Sequence, residues 1–182
     1  MHRPAQGWLA QCWLAVLLLT LALVLQVTVL SRLPLPGATP DLVLLVLVAL
    51  ALRGGPELGL VAGFAGGLAL DVLPPADHAI GRWALVLCLI CYACGFLEDE
   101  ADRSALFPIM VAAAASAASI LGFAALGVLI DDPRVGLDAV LRVLPTVVTY
   151  DVLLSPFVVY AVFRLHRRLE HGQILSPLGR AR

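Results

Sequence analysis

The sequence predicts an all-α fold: a polytopic membrane protein built as a bundle of about six transmembrane helices. Three observations carry that expectation. Of the 182 residues, 61% are hydrophobic and only 14% charged, whereas soluble domains carry about a quarter charged residues. Apolar runs recur along the chain, several close to the roughly 20 residues that a bilayer core demands. The charges, prolines and glycines gather in short breaks between those runs. Mean hydropathy is +0.97, so lipid is the expected solvent for most of the surface. The net charge of −1 sits in breaks and tail and offers no basic face to nucleic acid, which is not an expected partner.

A short cytoplasmic N-terminus, residues 1–11, is expected before the first span at 12–30. That run is too long for a signal-peptide core and further spans follow, so it reads as a retained anchor. Pro34, Pro36, Gly37 and Pro40 form a stiff, non-helical connection. The next run, 41–52, covers only about half of a roughly 30 Å core at 1.5 Å per residue. Arg53-Gly54-Gly55-Pro56-Glu57 breaks it before 57–73, so the two are either a thin pair of spans or a re-entrant hairpin. Pro74 and Pro75 close that unit. Spans follow at 80–97, 104–130 and 140–163, with polar turns at Glu98–Arg103 and Asp131–Arg134. Pro145 and Pro156 are expected to kink the last span. Residues 164–182 form a basic tail whose segment Phe163–His171 is roughly amphipathic and suits anionic lipid.

Arginine placement gives the orientation. With both termini in the cytoplasm, Arg3, Arg53, Arg103 and the five tail arginines are inside, and Arg32, Arg82, Arg134 and Arg142 outside. All twelve basic residues are arginine.

Catalytic and metal chemistry find no template. Cys88, Cys91 and Cys94 share roughly one face of an apolar helix and read as small packing residues, and Cys12 stands alone. His2, His78, His166 and His171 lack metal-ligand company. There is no HExxH motif, no GxxxxGK[ST] loop and no DxxxD pair. No enzyme, cofactor or metal is expected.

The residues that stand out are small or ionisable. Gly55, Gly59, Gly63 and Gly67 recur every fourth position, and Asp71 continues the series. In lipid, helices cohere through close backbone approach over small residues, so this stripe is either internal packing or a docking face for another membrane protein. Ala112–Ser119 is a second small-residue surface. Ionisable groups inside a bilayer are costly and each is a functional candidate. A shallow pair between Asp71 and Arg82 or Arg142 would relieve both charges. Asp151 lies near the middle of the last span with Gln26, Thr146, Thr149, Tyr150 and Ser155 as candidate neighbours. It is either a hydrogen-bonding strut or a proton-coupling site.

Pro40-Asp41-Leu42-Val43-Leu44-Leu45, the segment from Gly63 to Asp71 (GFAGGLALD), and Gly81 ahead of Trp83-Ala84-Leu85-Val86 together resemble the MreD family of rod shape-determining membrane proteins. A last span with a central polar residue and a basic tail completes the likeness. Asp151 holds that central position, where the family more often has Asn. The resemblance implies a non-enzymatic component of the bacterial cell-elongation complex in the plasma membrane. It also implies a fold similar to the six-helix substrate-binding subunits of energy-coupling-factor transporters. Its implied partners are an MreC-like protein and, through it, the MreB cytoskeleton and the peptidoglycan synthase. The competing reading is a substrate-binding subunit or small transporter, which needs a polar or aromatic cavity open to the outside.

Overall fold

A computed structural model describes residues 5–33, 36–73, 80–101, 103–132 and 136–175. Expectations placed on His2, Arg3, Pro34, Pro74, Pro75, His78, Asp102, Pro133, Arg134, Arg180 and Arg182 lie outside the described residues. The described residues form six α-helices, α1 (Ala5–Thr28), α2 (Leu42–Val72), α3 (Arg82–Gly95), α4 (Glu98–Ala101), α5 (Phe107–Leu129) and α6 (Leu137–Leu175), and one 3-10 turn at Leu30–Arg32. Four stretches are long and apolar enough to cross a membrane: Gln11–Thr28, Leu42–Val72, Phe107–Leu129 and Asp138–Arg168.

The 31 residues of α2 do not form one rod. Gly55 has φ 80° and ψ −178°, outside the helical region and readily reached only by glycine. Pro56 follows it at the first position of a new helix, where its missing N–H costs nothing. The chain reverses there. In a straight helix Leu47 and Gly66 would stand about 28 Å apart, yet a Cβ built on Gly66 would touch the Leu47 side chain at 3.0 Å. Likewise a Cβ on Gly59 would meet Ala51 at 3.0 Å. α2 is therefore a hairpin with arms at 42–54 and 56–72. Of the four long apolar stretches this one supplies two antiparallel arms of about 20 and 26 Å, each shorter than a bilayer core.

The first arm is the centre of the molecule. Every residue from Val43 to Leu52 is buried, and these ten side chains form the middle of the apolar core. α1, the second arm, α5 and α6 surround it. The hairpin tip meets the end of α3: a Cβ on Gly95 would overlap Gly55 and Pro56. Arg53, beside the tip, lies 4.0 Å over the ring of Phe163 on α6. Arg53, Arg103, Arg164, Arg167 and Arg168 thus share one end of the bundle.

α6 passes through Pro145 and Pro156 as one helical stretch. Pro156 cannot donate to the Val152 carbonyl, and the Ser155 hydroxyl does so instead at 2.9 Å, so the missing bond is replaced beside the proline. The basic segment after Phe163 begins as a continuation of the last span, because α6 runs on to Leu175. Phe163 and His166 are buried against the bundle, which ties down the face that carries on past the apolar run.

Candidate functional site

The small and ionisable residues assemble into three connected features along the α2 hairpin. The glycine stripe comes first. A Cβ on Gly59 would overlap the Cys91 carbonyl, one on Gly63 the Leu87 carbonyl, and one on Gly67 the backbone of Trp83 and Ala84. Each step of four along α2 meets a step of four back along α3, so the two helices run antiparallel at backbone contact. Cys91 and Cys94 are buried within this seam. The stripe faces α3 and is covered by it. It is spent inside the chain and does not form the open docking face that the sequence also allowed.

Asp71 ends the stripe and is fully buried. Its carboxylate accepts the backbone N–H groups of Gly81 at 2.9 Å, Trp83 at 3.0 Å and Ala84 at 3.0 Å. A helix leaves its first N–H groups without internal partners, and here an aspartate from a neighbouring helix takes three of them. Negative charge at a helix N-terminus is favourable as well. Gly81 sits at the N-cap of α3 with φ 99°, a conformation that disfavours any side chain.

The expected Asp71–arginine pair is not what forms. Arg82 is buried and its guanidinium turns to α5, donating from Nε and Nη2 to the Phe123 carbonyl at 2.9 and 2.7 Å. Its Nη1 pairs with Asp132 at 3.0 Å, and its plane lies 3.7 Å over the Phe123 ring. Trp83 stacks on the same ring, 4.4 Å between centroids. The backbone amides reach Asp71 first, so Arg82 is left to join α3 to α5. Arg142 is exposed on α6, away from both.

The third feature joins the largest number of elements. Asp151 is fully buried on α6, fourteen residues beyond Leu137. Its Oδ1 accepts the Asp41 backbone N–H at 2.7 Å, and its Oδ2 accepts the Ser116 hydroxyl of α5 at 2.5 Å. The Asp41 carboxylate in turn caps α2, accepting the Leu44 N–H at 3.0 Å and the Gln26 amide of α1 at 3.3 Å. Gln26 returns the contact by accepting the Val43 N–H at 3.1 Å. One polar junction therefore ties α1, α2, α5 and α6 together. The chain ahead of it lies along α6: a Cβ on Gly37 would touch Thr146 at 3.4 Å, and Tyr150 donates to the Pro36 carbonyl at 3.3 Å. Pro40 is buried and holds Asp41 at the mouth of the helix.

Of the neighbours expected for Asp151, Gln26 belongs to the same junction through Asp41. Thr149 and Ser155 instead bond carbonyls of their own helix. Asp41 and Ser116 were not expected at all as its partners. Neither left a signal: a backbone amide has no residue type, and Ser116 is one hydroxyl in an alanine-rich run. Both oxygens of Asp151 are engaged with backbone or hydroxyl donors, and no solvent reaches them, so the arrangement is suited to holding helices in register.

Compared with known proteins, residues 8–169 match a family model described as rod shape-determining protein MreD. No curated protein and no solved structure matches the chain.

Proposed function

Since the chain belongs to the MreD family and is thereby a cell-shape-determining membrane protein, we propose that it acts as a non-enzymatic scaffold of the bacterial elongation complex. In this reading it holds an MreC-like single-span protein and, through it, the wall-synthesis machinery. The observation that carries the proposal is the extent of the family match, which takes in every described helix from α1 to most of α6. The bundle lies in the plasma membrane with both termini in the cytoplasm, which places the arginine-rich end inside, as the positive-inside rule favours. Six apolar helical segments among the described residues, counting the hairpin arms separately and leaving out the short α4, are in keeping with the expected likeness to energy-coupling-factor substrate subunits.

With the glycine stripe enclosed, the partner helix belongs on α5. Ala114 and Ala118 lie one turn apart on its exposed face, between Met110 and Leu121, and give the low relief over which helices approach closely. Co-purification with an MreC-like protein from detergent tests this. Ala114→Leu with Ala118→Leu should weaken the association by about 1–2 kcal/mol, roughly tenfold, with the fold unchanged. Undiminished association would remove α5 as the docking face, and absence of any association in the unaltered protein would remove the scaffold reading. Gly63→Leu or Gly67→Leu cannot serve in this test, because each would disturb the α2–α3 seam itself.

A further inference from the structure

The seam between α3 and the second arm of α2 is fixed at both of its ends. At the hairpin tip a Cβ on Gly95 would overlap the backbone of Gly55 and Pro56. At the far end Asp71 accepts the Gly81 N–H at 2.9 Å. The helices stop close to these points. Gly55 is non-helical, Leu73 turns into extended chain at ψ 129°, Gly81 opens α3 in the left-handed region, and α3 gives way after Gly95 to the acidic α4. From Pro56 to Asp71, or from Gly81 to Gly95, the helical rise comes to about 21–22 Å. The pair is therefore roughly 8 Å shorter than the hydrocarbon of an ordinary bilayer. Tilting the pair would only lower it further.

Polar groups mark both limits of this short face. Glu57 and Asp99 are exposed at the tip, and at the far end Arg82 pairs with Asp132, whose side chain is one-fifth exposed. Between them Val61, Phe64 and Leu68 on the arm, with Leu85 and Leu89 on α3, are exposed and apolar. Tyr92 is exposed one turn inside the tip, and tyrosine is a residue type that seats at the headgroup level. The other side of the molecule is taller. α5 runs 23 residues without a charged side chain, about 34 Å, and exposes Met110 and Val128 near its two ends. A helix of that length meets full-thickness lipid by tilting, whereas the α2–α3 pair has no length to spare. Uncompressed lipid on the short side would lay hydrocarbon against carboxylates and against the non-helical backbone of the hairpin tip, which is the costlier arrangement.

We propose that the bundle thins the bilayer on one side only. Lipid against the α2–α3 face is compressed to the height of that face, so phospholipids with short acyl chains collect there, while α5 keeps lipid of ordinary length. This requires only that the bundle sit in a membrane and does not depend on which protein docks to it.

Lipid competition read by tryptophan fluorescence tests the asymmetry. In the full chain carrying Trp8→Phe/Trp13→Phe/Trp83→Phe, Leu89→Trp reports on the middle of α3 and Leu121→Trp on α5. Each variant is reconstituted in vesicles of brominated dioleoylphosphatidylcholine, which quenches the indole, mixed with unbrominated dimyristoleoyl-, dioleoyl- or dierucoylphosphatidylcholine. At Leu89→Trp the short dimyristoleoyl lipid should relieve quenching best, with about twofold preference over the dioleoyl lipid, since the modest cost of mismatch is shared among the lipids along the face. At Leu121→Trp the dioleoyl lipid should compete at least as well as the dimyristoleoyl one. The same ranking of lipids at both positions, or a preference for longer chains at Leu89→Trp, would overturn the proposal. So would an absence of quenching at Leu89→Trp, which would put protein rather than lipid on that face. Phe64→Trp, at the middle of the second arm, reads the same side, so loss of the fold in Leu89→Trp alone leaves the test intact.

Discussion

The α2 hairpin with α3 and the α5–α6 pair are about equally apolar, yet the chain uses them in opposite ways. In the most apolar stretch of α2, 78% of residues are buried within the protein, against 33% in α5 and 39% in the corresponding stretch of α6. Hydropathy alone does not separate the two regions, because lipid and protein interior are similar solvents for a leucine. Small residues and their spacing do. Glycines at every fourth position of α2 meet α3 at the backbone, whereas Ala114 and Ala118 of α5 leave an outward face with none of the described helices upon it. The first region is packed by its own sequence, and the second is finished by whatever surrounds it.

Substitutions that add bulk should break this contrast most sharply. Gly67→Leu would drive a side chain into the backbone of Trp83 and Ala84. Neither can yield as a flexible side chain would, so the loss should reach or exceed the top of the roughly 1–3 kcal/mol range for overpacking. Unfolding by titration with a denaturing detergent measures it. Ala118→Leu on the exposed face of α5 should fall within about ±0.5 kcal/mol in the same assay. Equal losses at the two positions would show that both regions are closed by internal packing.

Polar substitutions sharpen the comparison at smaller scale. Asp71→Ala would leave the N–H groups of Gly81, Trp83 and Ala84 without their acceptor, and one lost cap costs about 1 kcal/mol. With three donors involved, a loss of about 2–3 kcal/mol is expected, read by the same titration and by amide exchange at the start of α3. Asp151→Asn should cost least, under about 1 kcal/mol. Its carbonyl can still accept from Asp41, and its amide can donate to Ser116 in reverse. A large loss would mean that the negative charge itself matters at that junction. The amide would then be no substitute for Asp151.

What was legible in the sequence follows the same division. Lipid-lying helices, the break at Gly54-Gly55-Pro56 and the packing value of the glycine series were readable because residue type and spacing encode them locally. The separation of arginines between two ends was readable for the same reason. The fate of the charges was not. Asp71 was expected to seek an arginine, but its partners are backbone amides, which every residue carries. Arg82 was therefore free to take Asp132, a residue that reads in the sequence only as part of a turn. The Asp41–Asp151 contact spans 110 positions, and no local pattern reports on it. The continuation of α6 past Phe163 was hidden because arginines look alike on a free tail and on a docked helix.

The junction around Asp41 has one more consequence. Peptide groups outside a helix are tolerated at membrane depth only where protein supplies their hydrogen bonds, and the segment leading into α2 lies against the middle of α6 rather than beyond its end. Gln26, Asp41, Asp151 and the Tyr150 hydroxyl are what make an unwound stretch of chain admissible there. Polar residues that look like an expense of the apolar bundle are the solvent for one piece of its own backbone. Replacing them with leucines would make the interior greasier and, by stranding those amides, invite water in.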